Sequence, residues 1–166
     1  WLEAAGITSA EEVAFIPGKN NSVLIRSANQ IYLTEDSGNN WIVVPAPSSS
    51  PVFEIKVSAA NPDQFFALTQ SGFYVTTNQG DDWKSYRMPN SRTLKSVQIS
   101  STDEKRWYLQ YEESVNPNRA ITEVGILSTK DGGKTWQSKN KDLRVASPTD
   151  IDIVSTSEGL ALIGVT

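Results

Sequence analysis

A polar turn that contains a glycine and ends in a tryptophan occurs three times in this chain of 166 residues. The tryptophans Trp41, Trp83 and Trp136 are 42 and 53 residues apart. Because such a period is about what four short strands and their turns occupy, the spacing predicts a chain of repeated small β-sheets. The shared positions are Thr34, Asp36, Gly38 and Trp41 in the first copy, Thr76, Asn78, Gly80 and Trp83 in the second, and Thr129, Asp131, Gly133, Thr135 and Trp136 in the third.

Runs of β-branched and aromatic residues, separated by Asn, Gly, Ser and Pro, fill the segments between these turns. They predict an all-β chain of four-stranded antiparallel blades, stacked as in a β-propeller. We expect one partial propeller over residues 1–166, with about three whole blades at 11–44, 52–88 and 94–138 and the start of another at 150–166. Since a closed propeller has about 4 to 8 blades, further blades of a longer chain or a second copy would complete the ring.

The residue types of the repeated turn have a structural explanation that needs no ligand. Gly38, Gly80 and Gly133 are expected to adopt positive φ, a conformation that only glycine adopts at little cost. The Asp or Asn two residues earlier can accept hydrogen bonds from backbone N–H groups of the same turn. Each tryptophan ring can then fold back over its hairpin and bury a large apolar area.

The turn resembles the Asp-box, or BNR repeat, with the usual form Ser/Thr-x-Asp-x-Gly-x-Thr-Trp/Phe. The third copy matches this form fully, whereas Asn40 departs from it in the first copy and Asn78 and Asp82 depart in the second. Proteins with this repeat include sialidases, xyloglucan-active hydrolases, sortilin-type receptors and photosystem II assembly factors. The resemblance implies a propeller fold, Asp-box turns away from any active centre, and a location outside the cytoplasm.

Composition excludes several kinds of chemistry. The chain has no histidine and no cysteine, so it cannot form a Ser-His-Asp or Cys-His catalytic group or a zinc site of the His/Cys type. Its net charge of −4 argues against a nucleic-acid partner. Its apolar runs are too short for a transmembrane helix. We therefore expect no cofactor, no metal, no nucleic acid and no transmembrane segment.

Carboxylate chemistry stays open, since glycoside hydrolysis needs only two suitably spaced acids. The candidates are the adjacent Glu112 and Glu113 and the alternating Asp150 and Asp152, although a solvated surface explains each pair more simply. The extra length of the third repeat falls between Tyr111 and Glu123 and is expected to form a polar excursion. Its possible partner contacts are Glu112, Glu113, Asn116, Asn118 and Arg119.

The sequence therefore favours a non-catalytic binding or assembly scaffold that recognises a protein or glycan partner through its loops and ring face. The alternative is part of a glycoside hydrolase, sialidase-like or xyloglucanase-like, whose catalytic acids lie largely outside this segment. None of the six arginines occurs in a motif that matches the arginine cluster of a sialidase.

Overall fold

A computed structural model describes residues 7, 9–86, 92–116, 121–139, 150–156 and 159–165. Over this part of the chain the regular structure consists of β-strands, and no helix occurs. The chain divides into two compact units, Trp1–Arg87 and Met88–Thr166. Each unit is built from antiparallel sheets whose strands follow one another in sequence order.

The first unit contains two four-stranded sheets. Neighbouring strands pair in the order of the chain, so the first and the last strand of each sheet are its two edges. The first sheet comprises β1 (Glu12–Phe15), β2 (Val23–Ser27), β3 (Gln30–Thr34) and β4 (Ile42–Val44), and the second comprises β5 (Val52–Val57), β6 (Phe65–Thr69), β7 (Gly72–Thr76) and β8 (Lys84–Tyr86).

A hydrophobic core fills the space between these two sheets. Leu24, Ile31 and Leu33 contribute from the first sheet, and Ile55 and Phe65 from the second. All five side chains are buried. Because successive residues of a strand point to opposite faces, each sheet offers one alternating set of apolar side chains to this core. A single four-stranded sheet would leave that set in water, so the two sheets stabilise each other.

The second unit contains the third four-stranded sheet and a hairpin. Trp107 and Leu109 are fully buried, and Tyr111 and Gln110 are nearly so, which shows that the aromatic side chains of Trp107 and Tyr111 serve packing. The third sheet comprises β9 (Thr93–Ile99), β10 (Trp107–Asn116), β11 (Ile121–Thr129) and β12 (Gln137–Ser138), and the hairpin comprises β13 (Asp150–Thr156) and β14 (Gly159–Val165).

The segment between Tyr111 and Glu123 is not the loop that the sequence suggested. Strand β10 continues to Asn116 and β11 begins at Ile121, and the two remain paired across this region. The polar excursion is therefore an extended β-hairpin, with a register shift between Ser114 and Asn116. The polar composition of this segment gave no strand signal in the sequence, because Asn and, to a lesser degree, Glu are depleted in strands.

A bulge interrupts the first strand of two sheets at equivalent positions. In the second sheet Val52 pairs with Thr69 and Glu54 pairs with Leu68, which leaves Phe53 as the extra residue. In the third sheet the same shift leaves Lys95 as the extra residue of β9. Such bulges twist an edge strand and turn the extra side chain away from the regular faces.

Strand β5 is also protected at its free edge. A side-chain carboxylate oxygen of Glu12, on β1, accepts a hydrogen bond of 2.9 Å from the backbone N–H of Ile55. Arg26 and Lys56 form ion pairs with the same glutamate. The first sheet therefore satisfies a donor that an open edge of the second would leave unpaired.

The all-β, four-stranded antiparallel organisation predicted from the repeats is confirmed. The main departure from the expectation is the long hairpin of the third sheet, where a polar excursion was predicted.

Candidate functional site

A buried threonine hydroxyl organises each repeated turn. Thr34, Thr76 and Thr129 end the third strand of their sheets and are buried. Each hydroxyl accepts hydrogen bonds from two backbone N–H groups, two and four residues later, and donates one to the Asp or Asn side chain. Donor–acceptor distances are 2.7–3.3 Å. The hydroxyl thus uses its donor and both acceptor lone pairs.

The Asp or Asn side chain closes the other half of the turn. Its Oδ1 atom accepts a hydrogen bond from the backbone N–H four residues later: Asn40 at 2.9 Å from Asp36, Asp82 at 3.1 Å from Asn78, and Thr135 at 2.9 Å from Asp131. The expected contacts with the backbone of the same turn are therefore confirmed.

A hydrogen bond between two side chains of the turn, four residues apart, explains the departures from the Asp-box form. In the first turn the Asn40 amide donates to the Asp36 carboxylate, and in the third the Thr135 hydroxyl donates to Asp131. In the second turn the direction is reversed, since the Asn78 amide donates to the Asp82 carboxylate at 3.3 Å. Every copy pairs one donor with one carboxylate, and the position that carries the charge varies.

These hydrogen bonds favour the charged form of the turn aspartates. The side-chain hydroxyl of Thr135, followed by its backbone N–H, lowers the pKa of Asp131 from 3.8 to about 2. The backbone N–H of Asn40 and then its side-chain amide lower the pKa of Asp36 in the same way. A carboxylate with so low a pKa is a poor general acid or base near neutral pH.

The expected positive φ is confirmed at the glycine that the three turns share: 86° at Gly38, 100° at Gly80 and 80° at Gly133. The residue before each glycine also has positive φ, 62° at Ser37, 58° at Gln79 and 69° at Gly132.

The residue before each glycine also forms a backbone hydrogen bond to an earlier turn. The backbone N–H groups of Ser37, Gln79 and Gly132 donate to the carbonyls of Asn21, Asp63 and Lys105 at 2.8, 3.0 and 3.0 Å. Those carbonyls lie in the turn between the first and second strands of the same sheet. The sequence motif shows no sign of this contact, because its partner lies outside the eight-residue pattern.

Trp83 packs over its own turn, as expected, and reaches further. The ring of Trp83 lies against Gly80 and against the core between the first two sheets, and its Nε1 donates to the carbonyl of Pro45 at 2.8 Å. The ring centroid of Trp136 is 6.4 Å from that of Trp107. The motif side chains are thus engaged in holding turns and sheets together.

No group of three or more metal-binding side chains occurs among the described residues. In the same part of the chain, no helix is long and apolar enough to cross a membrane. The Asp-box carboxylates are occupied by hydrogen bonds within their own turns. These hydrogen bonds hold each turn in its shape.

The base of the long hairpin is the most distinctive candidate contact surface. Arg92, just before β9, donates a hydrogen bond of 2.9 Å to Glu113. Its guanidinium carbon also lies 4.1 Å from the ring centroid of Tyr111. Lys95 forms an ion pair of 2.9 Å with Glu112. Polar contacts therefore join β10 to β9 and to the residue before it, at the point where the hairpin leaves the sheet.

The predicted acids do not form a catalytic pair. Glu112 and Glu113 are consecutive in β10, so they point to opposite faces, and each already has a cationic partner. Asp150 and Asp152 lie in β13, where only the backbone is described. Among the predicted partner contacts, Asn116 ends β10, whereas Asn118 and Arg119 lie outside the described residues.

Comparison with known proteins adds one family and several structures. Residues 29–150 match the family model Sortilin-Vps10, described as sortilin, neurotensin receptor 3. No curated protein sequence matches the chain. The structure of an ancestral GH74 enzyme is 19% identical, with a TM-score of 0.65, over 84% of this chain and 21% of that chain. The GH74 enzyme of Niastella koreensis is 18% identical, with the same TM-score of 0.65, over 90% of this chain and 25% of that chain.

A third structure, YCF48 bound to D1 peptide, is 15% identical over 87% of this chain and 71% of that chain, but its TM-score of 0.38 is too low to support an argument. The family match and the two GH74 structures show a β-propeller fold of the BNR type. At such identity the GH74 likeness concerns the fold alone. This chain spans between a fifth and a quarter of the length of those enzymes.

Proposed function

Because the chain belongs to the Sortilin-Vps10 family, we propose that it works as a non-catalytic binding or assembly scaffold for a protein or glycan partner. The extended hairpin of the third sheet is the proposed contact. We place this function outside the cytoplasm, on the basis of the family resemblance. Further blades, from a longer polypeptide or from a second copy, would complete the ring.

The length of the hairpin carries this proposal. The corresponding strands β2, β3, β6 and β7 have five residues each, whereas β10 has ten and β11 has nine. Pairing with β9 stops at Glu112, so the residues beyond it pair only with the opposite arm of the hairpin. The sheet therefore does not need this extension, and an added element of this kind commonly serves recognition.

The contacts of Arg92 give the extension a fixed base. A two-stranded ribbon in water is only marginally stable, so it gains from an anchor. Arg92 supplies such an anchor through its ion pair with Glu113, and its stacking on Tyr111 orients the guanidinium. A rigid arm loses less conformational entropy when it binds.

The hydrolase alternative has less support. The only acids of the described side chains that the sequence singled out for catalysis, Glu112 and Glu113, are paired with Lys95 and Arg92 on opposite faces of one strand. Two acids that flank a glycosidic bond would have to face each other across a cleft. This geometry supports a role in the structure of the hairpin.

The test shortens the hairpin to the length used in the first sheet. Residues 112–124 are replaced by Asn-Gly, so that Tyr111 and Gly125, which face each other, are joined by a two-residue turn like residues 28–29. Crosslinking mass spectrometry of the full chain in extracts of its source, with a glycan array in parallel, measures binding. We expect a specific partner whose crosslinks map to the hairpin and whose binding falls at least tenfold in the shortened variant.

Arg92→Met is the finer variant, since it keeps much of the aliphatic stem and removes the charge. We expect weaker partner binding with little change in the thermal midpoint, while Lys130→Ala, at an exposed position of the third turn, leaves binding unchanged. Equal binding by the wild-type chain and the shortened variant would reject the hairpin as the contact. Turnover of xyloglucan or a sialoside by the full chain would reject a non-catalytic role.

A further inference from the structure

The outer strand of the first sheet differs from the outer strands of the other two. Trp41, Trp83 and Trp136 occupy equivalent positions, so the two residues after each can be compared. These are Lys84 and Ser85 in the second sheet and Gln137 and Ser138 in the third, all polar and exposed. In the first sheet they are Ile42 and Val43, whose side chains are 59% and 55% exposed. The fold therefore tolerates polar residues here, and the apolar pair needs another explanation.

Strand β4 also has a free edge. Within the described part of the chain it pairs with β3 alone and ends the strand order of its sheet. Its alternation places Ile42 on the face that packs against the second sheet and Val43 on the opposite face. An added strand presents side chains to both faces in alternation, so one apolar residue on each face suits a strand better than a globular surface.

A groove of about 290 Å³ runs beside this edge, between β4 and the repeated turn of the second sheet. Ile42, Val44 and Pro45 form its apolar wall. Two exposed acids, Glu35 and Asp81, lie among its lining residues, and no basic residue does. A lysine or arginine side chain can pack its aliphatic stem over Ile42 and carry its charge towards these acids.

We propose that the free edge of β4 docks an extended segment of a partner polypeptide that alternates apolar and basic residues. The segment adds a fifth strand to the first sheet, with its apolar side chains beside Val43 and its basic side chains over the acidic groove. A second copy of this chain suits the site less well, because a symmetric pairing of two β4 edges brings both copies of Glu35 and Asp81 together. This surface is separate from the hairpin of the third sheet.

The probe follows from the geometry. It is the synthetic peptide acetyl-Val-Lys-Val-Lys-Val-amide, and the matched control is acetyl-Val-Glu-Val-Glu-Val-amide. A third peptide carries N-methyl groups on the backbone of the first, which removes donors needed for strand pairing. Binding to the full chain is followed by NMR through the amide resonances of residues 42–44. We expect saturable shifts with the lysine peptide and at least tenfold weaker binding of the other two.

Protein variants separate the apolar pair from the acids. Ile42→Lys with Val43→Ser installs the residues that the second sheet has at these positions and accommodates there. We expect this variant to bind the lysine peptide at least tenfold more weakly. Glu35→Gln with Asp81→Asn should bind the lysine peptide several-fold more weakly, and the remaining binding should be less sensitive to salt. Lys84→Gln, which installs the residue of the third sheet in β8, is the matched control and should leave binding unchanged.

Three results would overturn the proposal: no saturable shifts with the lysine peptide, equal binding of the glutamate peptide, or unchanged binding to the variant with Ile42→Lys and Val43→Ser. Self-association of the wild-type chain that this variant abolishes would also overturn it, by assigning the edge to a second copy. Circular dichroism of each variant confirms that the sheets are retained, so that loss of binding is not loss of fold.

Discussion

A threonine hydroxyl with three hydrogen bonds lies at the centre of each repeated turn. Beside it, two side chains four residues apart are bonded to each other, and one of the two is a carboxylate. Asp36 and Asp131 carry the charge in the first and third turns, whereas Asp82 carries it in the second. The turn requires one carboxylate that accepts a hydrogen bond from one donor side chain, and the carboxylate can occupy either of these two positions. A match to the Asp-box form that reads each position separately underestimates how well the second copy fits.

The lowered pKa of Asp131 makes part of the stability depend on pH. With a pKa of about 2 in the folded chain against an ordinary value of 3.8, this residue contributes stability above about pH 4. That contribution is lost as pH falls from about 4 through about 2, because the unfolded state then binds the proton first. We expect Asp131→Asn to flatten the unfolding free energy over this range, as measured by urea denaturation at several pH values.

Adding Asp36→Asn should flatten the curve further, since the pKa of Asp36 is lowered by contacts of the same kind. Asn78 shows that an amide can occupy this position in a folded turn. An unchanged pH dependence in both variants would mean that these carboxylates are not stabilised by folding.

Sequence reasoning reached the glycines of these turns but missed the residue before each. Gly38, Gly80 and Gly133 were predicted to have positive φ because glycine is the residue type suited to it. Ser37 and Gln79 also have positive φ, although neither is a glycine. Their backbone N–H groups bond to carbonyls of another turn, and this contact between distant segments leaves no local pattern in the sequence.

At the scale of elements, strands bounded by turn residues could be predicted and the long hairpin could not. Short apolar runs between Gly, Asn and Pro give both the positions and the pairing order of most strands. The extension of β10 and β11 is stabilised instead by Arg92, which precedes another strand, and a single-segment pattern does not contain that contact.

The turn of the second sheet approaches the outer strand of the first so closely that only a glycine fits. A Cβ added at Gly80 would overlap Cγ1 of Val44, and its φ of 100° is unfavourable for other residues. We expect Gly80→Ala to lower the free energy of unfolding by about 2–4 kcal/mol, from backbone strain and overpacking together. Urea denaturation measures this loss.

Gly18→Ala is the matched comparison, because Gly18 has a φ of 77° but open space around its added Cβ. Gly18→Ala should lower the free energy of unfolding by about 1–2 kcal/mol, from backbone strain alone. Equal losses in the two variants would show that the contact with Val44 adds nothing to the requirement for glycine.

For the whole molecule, the first sheet has one face that its own unit leaves partly open. Register places Val13 and Phe15 at positions equivalent to Ile55 and Val57, which face the core of the first unit. Yet Val13 and Phe15 are 50% and 76% exposed, against 1% for Ile55. This contrast supports the proposal that another sheet packs here.

Stability of the full chain can test that proposal. We expect Val13→Ser with Phe15→Ser to change the free energy of unfolding by less than about 0.5 kcal/mol, since exposed apolar side chains add little. Ile55→Ser should cost about 2–4 kcal/mol. Binding of an apolar dye should fall in the first variant only. A large loss of stability from the double change would show that the face is already covered within the chain.

The repeated turn predicted the fold of the molecule because it recurs at intervals of 42 and 53 residues, each long enough for a four-stranded sheet, and the Sortilin-Vps10 match agrees with it. The candidate contact surfaces were harder to predict. Glu112 and Glu113 were noticed as acids, but their ion-pair partners lie elsewhere in the sequence, Arg92 just before β9 and Lys95 within it. Ile42 and Val43 read as an ordinary strand, and only their exposure beside a free edge sets them apart.

The bulges of β5 and β9 suggest how such a protein can diversify. Phe53 and Lys95 occupy equivalent places, and Glu11 stands at the corresponding position of the first repeat. An aromatic, a base and an acid thus alternate at a single site of the repeat while the surrounding core stays apolar. Because a bulged side chain lies off the regular faces of its sheet, Phe53 and Lys95 can differ in chemistry while the apolar residues of the cores beside them stay buried.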